Sequence, residues 1–347
     1  MPHEMMTPRE RIERLLRGEP ADRVPFCPAV YEHKAALIGT TPSFLSRDAG
    51  LFEKALVREA ELYGPDLLTV GCDVYNLEAE AGGCQVEFFD TPDVPAVRTR
   101  AVRPGDKISG LRMPDPERDG RMPVALEAGR RVREKLGADM IIRGALSAPF
   151  SIACEMAGAE PILTALIDQP GWVSELIVWT ARLAMSYGRA FVERGLGIVL
   201  FDSHAAPPMV SPRLYRNIIM PPTAEVIRYF REELAVPLVP YIIGGNTVPI
   251  LDEILGTGTN NILCDFRADL DTFVGRLQDG PVLLRANLDP WFLLTQPEET
   301  IRAKAREVLD KGRRYPRFML GTGIVPYDLP PSKILAVRDA IINLHNS

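Results

Sequence analysis

The chain contains few of the residues that build disulfides and metal sites. Its 347 residues include five cysteines and four histidines. The cysteines are odd in number and scattered, and no two of them form a C-x-x-C pair. This pattern argues against a disulfide framework and against a structural zinc ribbon. Most of the cysteines are therefore expected to be ordinary core residues.

Membrane-length apolar runs and basic blocks are also missing. No apolar run is long enough to span a bilayer, and the N-terminal segment Met1–Arg17 is charged throughout, unlike a signal peptide. The net charge is −6 and no Lys/Arg-rich block is present, which disfavours nucleic acid and acidic membranes as partners. We therefore predict a cytoplasmic protein whose partner is a small molecule. The sequence leaves a homodimer open.

The two common phosphate-binding loops are absent. The chain has neither G-x-G-x-x-G nor a P-loop, which disfavours a doubly wound open sheet. No tightly bound cofactor is predicted. What it does have is 46% hydrophobic and 25% charged residues, enough for a large core. Its length is normal for an α/β barrel with an insertion. We predict a single domain over residues 1–347.

Short apolar runs that end in small or polar residues recur along the chain, and helical patterns separate them. Such runs are typical of parallel strands buried on both faces. Eight β/α alternations favour a closed (β/α)8 TIM barrel over a doubly wound open sheet. The predicted strands are Val24–Ala29, Asp66–Cys72, Asp139–Leu146, Gly197–Asp202, Val236–Ile243, Asn261–Phe266, Pro281–Asn287 and Phe318–Ile324.

Two further elements are predicted outside this alternation. Thr7 and Glu10 form the pattern of a capping box at the start of an N-terminal helix, and Gly18 ends that helix. The segment Cys84–Pro116 breaks the alternation after the second strand, and we interpret it as a β-hairpin excursion within the same domain. The predicted hairpin strands are Gln85–Phe89 and Ala96–Val102.

The densest polar cluster in the chain is Asp202-Ser203-His204, directly after the fourth predicted strand. Barrels of this kind build their active sites at the C-terminal ends of the strands. A histidine there serves as acid, base or hydrogen-bond donor near neutral pH, and the alternative is a local cap or loop hydrogen bond. Adjacent side chains point apart, so the three residues are not a Ser-His-Asp triad.

Two carboxylates complete the predicted catalytic set with His204. Asp73 closes the second strand, where the alternative role is a helix N-cap. Glu155 lies in an otherwise apolar helix start, where a raised pKa would suit a general acid, and the alternative is that it faces water. Glu78 and Glu80 are interpreted as solvated charges in a first helical turn.

Other polar residues near strand ends are predicted to contact a small ligand. The predicted substrate-binding residues are Tyr75, Asn76, Asp202, Ser203, Tyr241, Asn246, Arg267, Asn287 and Thr322. Asn287-Leu-Asp289-Pro is equally typical of a structural turn. Arg143 and Arg285 stand among apolar strand residues, and each is expected to need a carboxylate such as Asp265 or Asp289. Two carboxylates, one histidine and few cations favour a neutral or cationic ligand.

The segments Phe201–Ala205, Gly244–Thr247 and Asn287–Pro290 resemble the uroporphyrinogen decarboxylase superfamily, which also holds zinc- and corrinoid-linked methyltransferases. The opening Thr-Pro-Arg-Glu-Arg and the later Arg-Val-Pro-Phe are similar too, and the resemblance covers nearly the whole chain. It implies an enzyme with a (β/α)8 barrel fold, in agreement with the strand count.

The chain departs from the decarboxylases at several positions that the resemblance identifies. The Arg-rich segment expected after the first strand is replaced by Ala29–Gly39, which has one Lys, one Glu and no Arg. The family's Asp and Ser are kept as Asp73 and Ser203, but Glu155 stands for a Tyr and Thr322 for a His. A substrate with many carboxylates would meet fewer Arg forks here, which disfavours uroporphyrinogen.

The chain also departs from the zinc-binding methyltransferases. The resemblance implies ligands in a His-x-Cys-Gly-Asn-Thr pattern and a late Cys, and these three positions are Ile242, Gly244 and Thr322. None carries a zinc-binding donor, so no metal is predicted. The leading hypothesis is a zinc-independent methyltransferase that moves a methyl group from a small methylated compound to a corrinoid on a partner protein. A decarboxylase or lyase acting on uroporphyrinogen or another small acid, and a non-catalytic binding barrel, stay open.

Overall fold

The computed structural model describes residues 6–278 and 280–344. The first five residues of the charged N-terminal segment, and the last three of the predicted domain, lie outside this range. The strands are β1 Phe26–Ala29, β2 Leu67–Val70, β3 Gln85–Glu87, β4 Ala96–Thr99, β5 Ile141–Ser147, β6 Gly197–Phe201, β7 Pro240–Ile242, β8 Asn261–Cys264, β9 Leu283–Leu288 and β10 Phe318–Ile324.

Helices follow most of the strands. They are α1 Pro8–Arg17, α2 His33–Ala36, α3 Pro42–Leu45, α4 Ala49–Tyr63, α5 Asn76–Ala81, α6 Met122–Leu136, α7 Pro149–Ala157, α8 Ala159–Asp168, α9 Pro170–Glu193, α10 Pro212–Leu214, α11 Met220–Arg228, α12 Leu251–Gly256, α13 Leu270–Leu277, α14 Pro290–Thr295, α15 Glu298–Gly312 and α16 Pro331–Leu344. No single helix within 6–278 and 280–344 has the length and apolar content to cross a membrane. The bent pair α7 and α8 meets those two criteria only when both helices are counted together.

Eight parallel strands form the sheet, in the order β1-β10-β9-β8-β7-β6-β5-β2, and all eight were predicted. β3 and β4 pair antiparallel as the predicted hairpin. The (β/α)8 barrel prediction is therefore confirmed, since helices separate consecutive strands around a nearly closed ring. Several strands are shorter than predicted. The apolar runs used to predict them extend beyond the strand ends into the adjoining loops.

A buried carboxylate joins the two strands at the ends of this order. Asp66 accepts hydrogen bonds from the Phe26 backbone N–H and from Arg23 Nη1, each at 2.6 Å. Arg11 of α1 pairs with the same carboxylate. Because Asp66 also donates its own N–H to the Phe26 carbonyl at 2.8 Å, it ties the start of β2 to β1.

The N-terminal helix α1 closes the lower end of the barrel. Its predicted capping box is present: Thr7 Oγ1 accepts from the Glu10 N–H, and Glu10 accepts from the Thr7 N–H. Gly18 ends the helix in the left-handed region at φ 74°. Ile12 and Leu15 of α1 pack on inward-facing strand residues, so the barrel is filled from below and opens at its C-terminal end.

Candidate functional site

A cavity of about 470 Å³ lies at the C-terminal mouth of the barrel. Its apolar wall includes Tyr31, Phe201, Ile242 and Leu263. Polar side chains project from loops and strand ends that are far apart in sequence. The polar lining consists of Tyr75, Ser203, Asp265, Arg267, Arg285 and Asn287. We call this space the mouth cavity. Its size suits a small ligand.

Four of the predicted site residues line the mouth cavity, namely Tyr75, Ser203, Arg267 and Asn287. The other eight are not among its lining residues. They are Asp73, Asn76, Glu155, Asp202, His204, Tyr241, Asn246 and Thr322. Asp73 and Glu155, which were predicted to be catalytic, therefore do not line the same cavity as Ser203 and Asn287.

Asp73 lies behind the wall of the mouth cavity. Its side chain is 1% exposed and its Oδ2 is 2.7 Å from Arg121 Nη1. Burial raises the pKa of Asp73, and the Arg121 charge opposes this. Val74 and Tyr75 line both the mouth cavity and a much smaller space, about 10 Å³, that Asp73 lines. No local pattern indicated this partner, because Arg121 lies after the hairpin excursion and is far from Asp73 along the chain.

Arg121 also binds Glu80, with Nε 2.6 Å from Oε2. Glu78 is buried too and accepts hydrogen bonds from Ser147 N at 2.7 Å and Ser147 Oγ at 2.9 Å. The interpretation of Glu78 and Glu80 as solvated charges was therefore wrong. Because α5 packs against α6, α7 and the hairpin excursion, both glutamates face other parts of the protein.

Tyr75 is held over the mouth cavity in an unusual backbone conformation. Its φ of 87° lies in the left-handed region, which a residue with a Cβ rarely adopts. Its hydroxyl donates to Ser203 Oγ at 2.9 Å and accepts from the Ser203 N–H at 3.2 Å. Its ring meets the His204 ring edge-on at 5.4 Å. Tyr75 thus links the loop after β2 to the loop after β6.

Glu155 and His204 form a cluster beside Tyr75. Arg100 Nη1 lies 2.7 Å from Glu155 Oε2, and His204 Nε2 lies 3.5 Å from Glu155 Oε1. Burial lowers the pKa of His204, and the Glu155 charge opposes this. The expectation that Glu155 has apolar surroundings was wrong, because Arg100, which directly follows β4, forms an ion pair with it. Sequence spacing carried no sign of this long-range pair.

Asp202 anchors the loop after β6 from inside the protein. One oxygen accepts from Ser151 N at 3.0 Å and Ser151 Oγ at 2.7 Å, and the other accepts from Tyr241 OH at 2.7 Å. Burial raises the pKa of Asp202 to about 6. Asp202 and Ser203 turn to different partners, consistent with the prediction that no triad forms. Tyr241 is fully buried and supports Asp202.

Three further predicted binding residues have structural partners. Asn76 Nδ2 donates to the Pro95 carbonyl, and Asn246 Oδ1 accepts from the Val248 N–H at 3.2 Å. Thr322 is buried and its Oγ1 accepts from the Ala29 N–H at 3.1 Å. These side chains shape the loops and the β1–β10 pairing, and they are not among the lining residues of the mouth cavity.

Arg143 and Arg285 do not pair with Asp265 or Asp289, the carboxylates expected for them. Arg285 Nε donates to Asn287 Oδ1 at 2.9 Å, and Arg143 Nε donates to Thr69 Oγ1 at 3.0 Å. Asp289 instead caps α14, accepting from the Trp291 N–H at 2.9 Å. Arg285 and Asp265 therefore line the mouth cavity as separate groups, and Arg285 had not been predicted to contact a ligand.

Asp265 and Ser203 flank a glycine on the floor between β7 and β8. A Cβ built on Gly244 would lie 3.5 Å from Ser203 Oγ and 3.8 Å from Asp265 Oδ2. The missing side chain therefore leaves room between a hydroxyl and a carboxyl group. Burial raises the pKa of Asp265, which suits it to hold a proton nearer neutrality than an exposed aspartate does.

The residues at the positions where the resemblance implies zinc ligands do not fit a zinc ion. Ile242 and Gly244 offer no donor side chain, and the Thr322 hydroxyl is engaged with the Ala29 N–H. Zinc sites in proteins use three or four N, S or O ligands. Over 6–278 and 280–344, no group of three or more His, Cys, Asp or Glu side chains is arranged to hold a metal ion.

A parallel (β/α)8 barrel with a polar cavity at its C-terminal mouth defines a class of enzyme scaffold. A solved structure of a methyltransferase from Methanosarcina mazei has the same fold, with a TM-score of 0.86 over 98% of this chain and 99% of that one, at 24% identity.

The family follows from the sequence comparison. The family model for uroporphyrinogen decarboxylase (URO-D) matches residues 7–344, and the chain belongs to this family. A methylcobamide:CoM methyltransferase, MtbA, of Methanosarcina mazei is 27% identical over 92% of this chain and 93% of its own length. A uroporphyrinogen decarboxylase of Pelobacter propionicus is 27% identical over 89% of this chain and 91% of its own length. Both relatives are enzymes, as expected for this chain.

Proposed function

We propose that this chain is a methyltransferase that moves a methyl group from a small methylated compound to a corrinoid carried by a partner protein, without zinc. The observation that supports methyl transfer is the similarity to the MtbA relative over 92% of the chain. The proposal that this chain works without zinc is based on Ile242, Gly244 and Thr322, whose side chains cannot supply the zinc ligands.

In this reaction the corrinoid supplies the cobalt that accepts the methyl group. The bond between the methyl carbon and the leaving atom breaks, and the leaving atom takes up a proton. Asp265 lines the mouth cavity and its pKa is raised by burial, so we assign it as the proton donor. Ser203, across Gly244, is placed to orient the leaving atom by a hydrogen bond.

The residues first proposed as catalytic have a less direct route to the substrate. Glu155 and His204 adjoin Tyr75, and Asp73 lies behind Val74 and Tyr75. We propose that these three act only if Tyr75 moves from the wall of the mouth cavity. Asp265→Asn is then expected to slow methyl transfer more than Glu155→Gln does.

The test of methyl transfer uses the purified chain with cob(I)alamin and a panel of methylated thiols, ethers and amines. Formation of methylcobalamin, followed by its absorbance, is the expected result. An Asp265→Asn variant should be about 100-fold slower, the lower range for a general acid. If no compound in the panel yields methylcobalamin above the rate without protein, methyl transfer is contradicted.

Zinc independence has its own measurement. Elemental analysis of protein purified without a metal-affinity tag should find no stoichiometric zinc, and activity should persist after dialysis against a chelator. One tightly held zinc ion per chain would show that a ligand set other than Ile242, Gly244 and Thr322 exists.

The second candidate is a decarboxylase or related lyase. Similarity to the Pelobacter propionicus relative and the family aspartate at Asp73 favour it. The absence of Arg from Ala29–Gly39 disfavours a substrate with many carboxylates. An anaerobic assay with enzymatically generated uroporphyrinogen separates the two, since accumulation of coproporphyrinogen would support the decarboxylase. Tight ligand binding without turnover in either assay would support a non-catalytic barrel.

A further inference from the structure

Two arginines lie inside the barrel without an acidic partner. Arg143 on β5 and Arg285 on β9 are each only 4% exposed. Across 6–278 and 280–344, neither forms an ion pair with Asp or Glu, although other buried guanidinium groups in the chain, such as that of Arg121, do. A buried charge without a counter-ion is costly, so each arginine needs a structural or functional reason.

Arg285 is held in a defined orientation with donors to spare. Its Nε donates to Asn287 Oδ1 at 2.9 Å and its Nη2 donates to the Thr322 carbonyl at 3.0 Å. These bonds use two of the five N–H donors of a guanidinium group, and Nη1 has no partner among the described residues. A Cβ on Gly321 would collide with the Cys27 carbonyl of β1 and would also lie 2.9 Å from Arg285 Nε, so the glycine makes room both for β1 and for this orientation.

Arg285 is also the deep polar group of the mouth cavity. Arg285 pairs in register with Leu263, and Asn287, two residues further toward the mouth, pairs with Gly321. At about 3.3 Å per strand residue, the backbone of Arg285 lies roughly 7 Å below that of Asn287, and the Arg285 side chain reaches up to Asn287 Oδ1. A ligand that fills the cavity from the mouth would reach Arg285 with its inner end.

Arg143 provides an internal comparison. It is buried to the same extent, but its Nε donates to Thr69 Oγ1 and it does not line the mouth cavity. It borders a separate cavity at the N-terminal end of the barrel, beside α1. Removing Arg143 therefore removes a similar buried cation without changing the lining of the mouth cavity.

The charge of the mouth cavity differs from the expectation of a neutral or cationic ligand. Asp73 and Glu155 are paired with Arg121 and Arg100 and do not line it. Asp265 is the one acidic side chain among its lining residues, and two of the lining residues, Arg267 and Arg285, are cationic. The deep end therefore favours an anion.

We propose that Arg285 binds the carboxylate of the methylated substrate, which makes that substrate a small organic acid. The planar guanidinium presents parallel N–H donors that match the two oxygens of a carboxylate. Phe201, Ile242 and Leu263 surround the space above with apolar surface for a short alkyl chain. The inference that the methyl group reacts depends on the proposed function. The inference that the ligand carries a carboxylate depends only on Arg285 and the mouth cavity.

The test measures binding and does not depend on turnover. Isothermal titration of the full chain would compare methylthiopropionate, methylthioethanesulfonate and the uncharged methylthiopropanol. We expect the wild-type chain to bind the carboxylate at least about 10-fold more tightly than the alcohol, the range for one hydrogen bond to a charged group. Arg285→Met should abolish this preference, Arg285→Lys should retain part of it, and the control Arg143→Met should keep it in full.

Several results would overturn the proposal. They are equal binding of acid and alcohol by the wild-type chain, no binding of the acid, tighter binding of the sulfonate than of the carboxylate, and an unchanged preference in Arg285→Met. Should Arg285→Met fail to fold, as judged by its thermal transition, the wild-type comparison and Arg285→Lys still decide. Methylcobalamin formation without any preference for acids would refute carboxylate binding by Arg285 and would still support methyl transfer.

Discussion

At the scale of single residues, acidic side chains near the barrel mouth have different partners and therefore different positions relative to the mouth cavity. Asp73, Glu155 and Asp202 are all acidic residues at or near the mouth, yet each is bound by a different partner. Arg121 and Arg100 neutralise the first two, and Ser151 and Tyr241 bind the third. Among the acidic residues in the described part of the chain, only Asp265 lines the mouth cavity. The bonding partners of an acidic residue therefore indicated its position at the cavity better than its residue type did.

The Asp73–Arg121 pair makes a testable contribution to stability. Neither Asp73 oxygen has good hydrogen-bond geometry in the structure, so Arg121 is its counter-charge. Arg121→Met should lower the unfolding free energy by about 3 kcal/mol, because it leaves a buried carboxylate unpaired. Arg121→Met combined with Asp73→Asn should cost less than the two single changes added together.

The measurement is urea unfolding of the single and double variants. Arg112→Met is the matched control, since Arg112 pairs with Asp119 at the surface and its loss should cost much less than the loss of Arg121. Equal costs for Arg121→Met and Arg112→Met would refute the buried-pair interpretation.

Asp202 gives a prediction about pH. Its folded pKa of about 6 lies above its ordinary value of 3.8, so the folded chain binds more protons between those values. The stability from this group is complete below about pH 4 and is lost as pH rises through about 6. Asp202→Asn keeps an acceptor for Ser151 and removes the titration.

The unfolding free energy of the wild-type chain, relative to Asp202→Asn, should therefore fall by on the order of 2 kcal/mol between pH 4 and pH 6.5. Urea unfolding of both proteins across this range checks the sign. A difference that is constant with pH would mean that Asp202 does not titrate in this window.

At the scale of elements, local signals predicted what local interactions build. The capping box of α1 and the β3–β4 hairpin depend on neighbouring residues, and both were found in place. The turn before α5 is different. Tyr75 adopts its left-handed conformation because its side chain is tied to Ser203, 128 residues away, and no local pattern encodes that contact.

Strain at Tyr75 should show in a pair of substitutions. Tyr75→Gly and Tyr75→Ala both delete the ring and its hydrogen bonds, but only glycine adopts positive φ without cost. The glycine variant should be more stable than the alanine variant by about 1 kcal/mol, measured by chemical unfolding. In an ordinary helical position the order would be reversed, so an alanine variant of equal or greater stability would argue against strain.

At the scale of the whole molecule, barrel closure depends on a buried charge cluster that joins the first two strands to α1. Asp66→Asn should cost about 3 kcal/mol or more, because it weakens the ties to Arg11, Arg23 and Phe26 together. Asp310→Asn, at an exposed pair with Arg313, is the control and should cost less than about 1 kcal/mol. Similar thermal transitions for the two variants would contradict a closing role for Asp66.

The sequence by itself determined the architecture of this protein. Strand alternation, buried apolar runs and helix caps are local properties, and burial on both faces forces parallel strands into a covered sheet. The family relationship, and the loss of donors at Ile242, Gly244 and Thr322, are likewise readable from residue types in order.

Tertiary structure alone decided which polar residues meet at the mouth. Arg100 and Arg121 come from outside the barrel strands and withdraw Glu155 and Asp73 into ion pairs, whereas Arg285 and Asp265 remain open to the mouth cavity. Pairing energies depend on distance and burial across segments far apart in sequence, and these follow only from the packed fold.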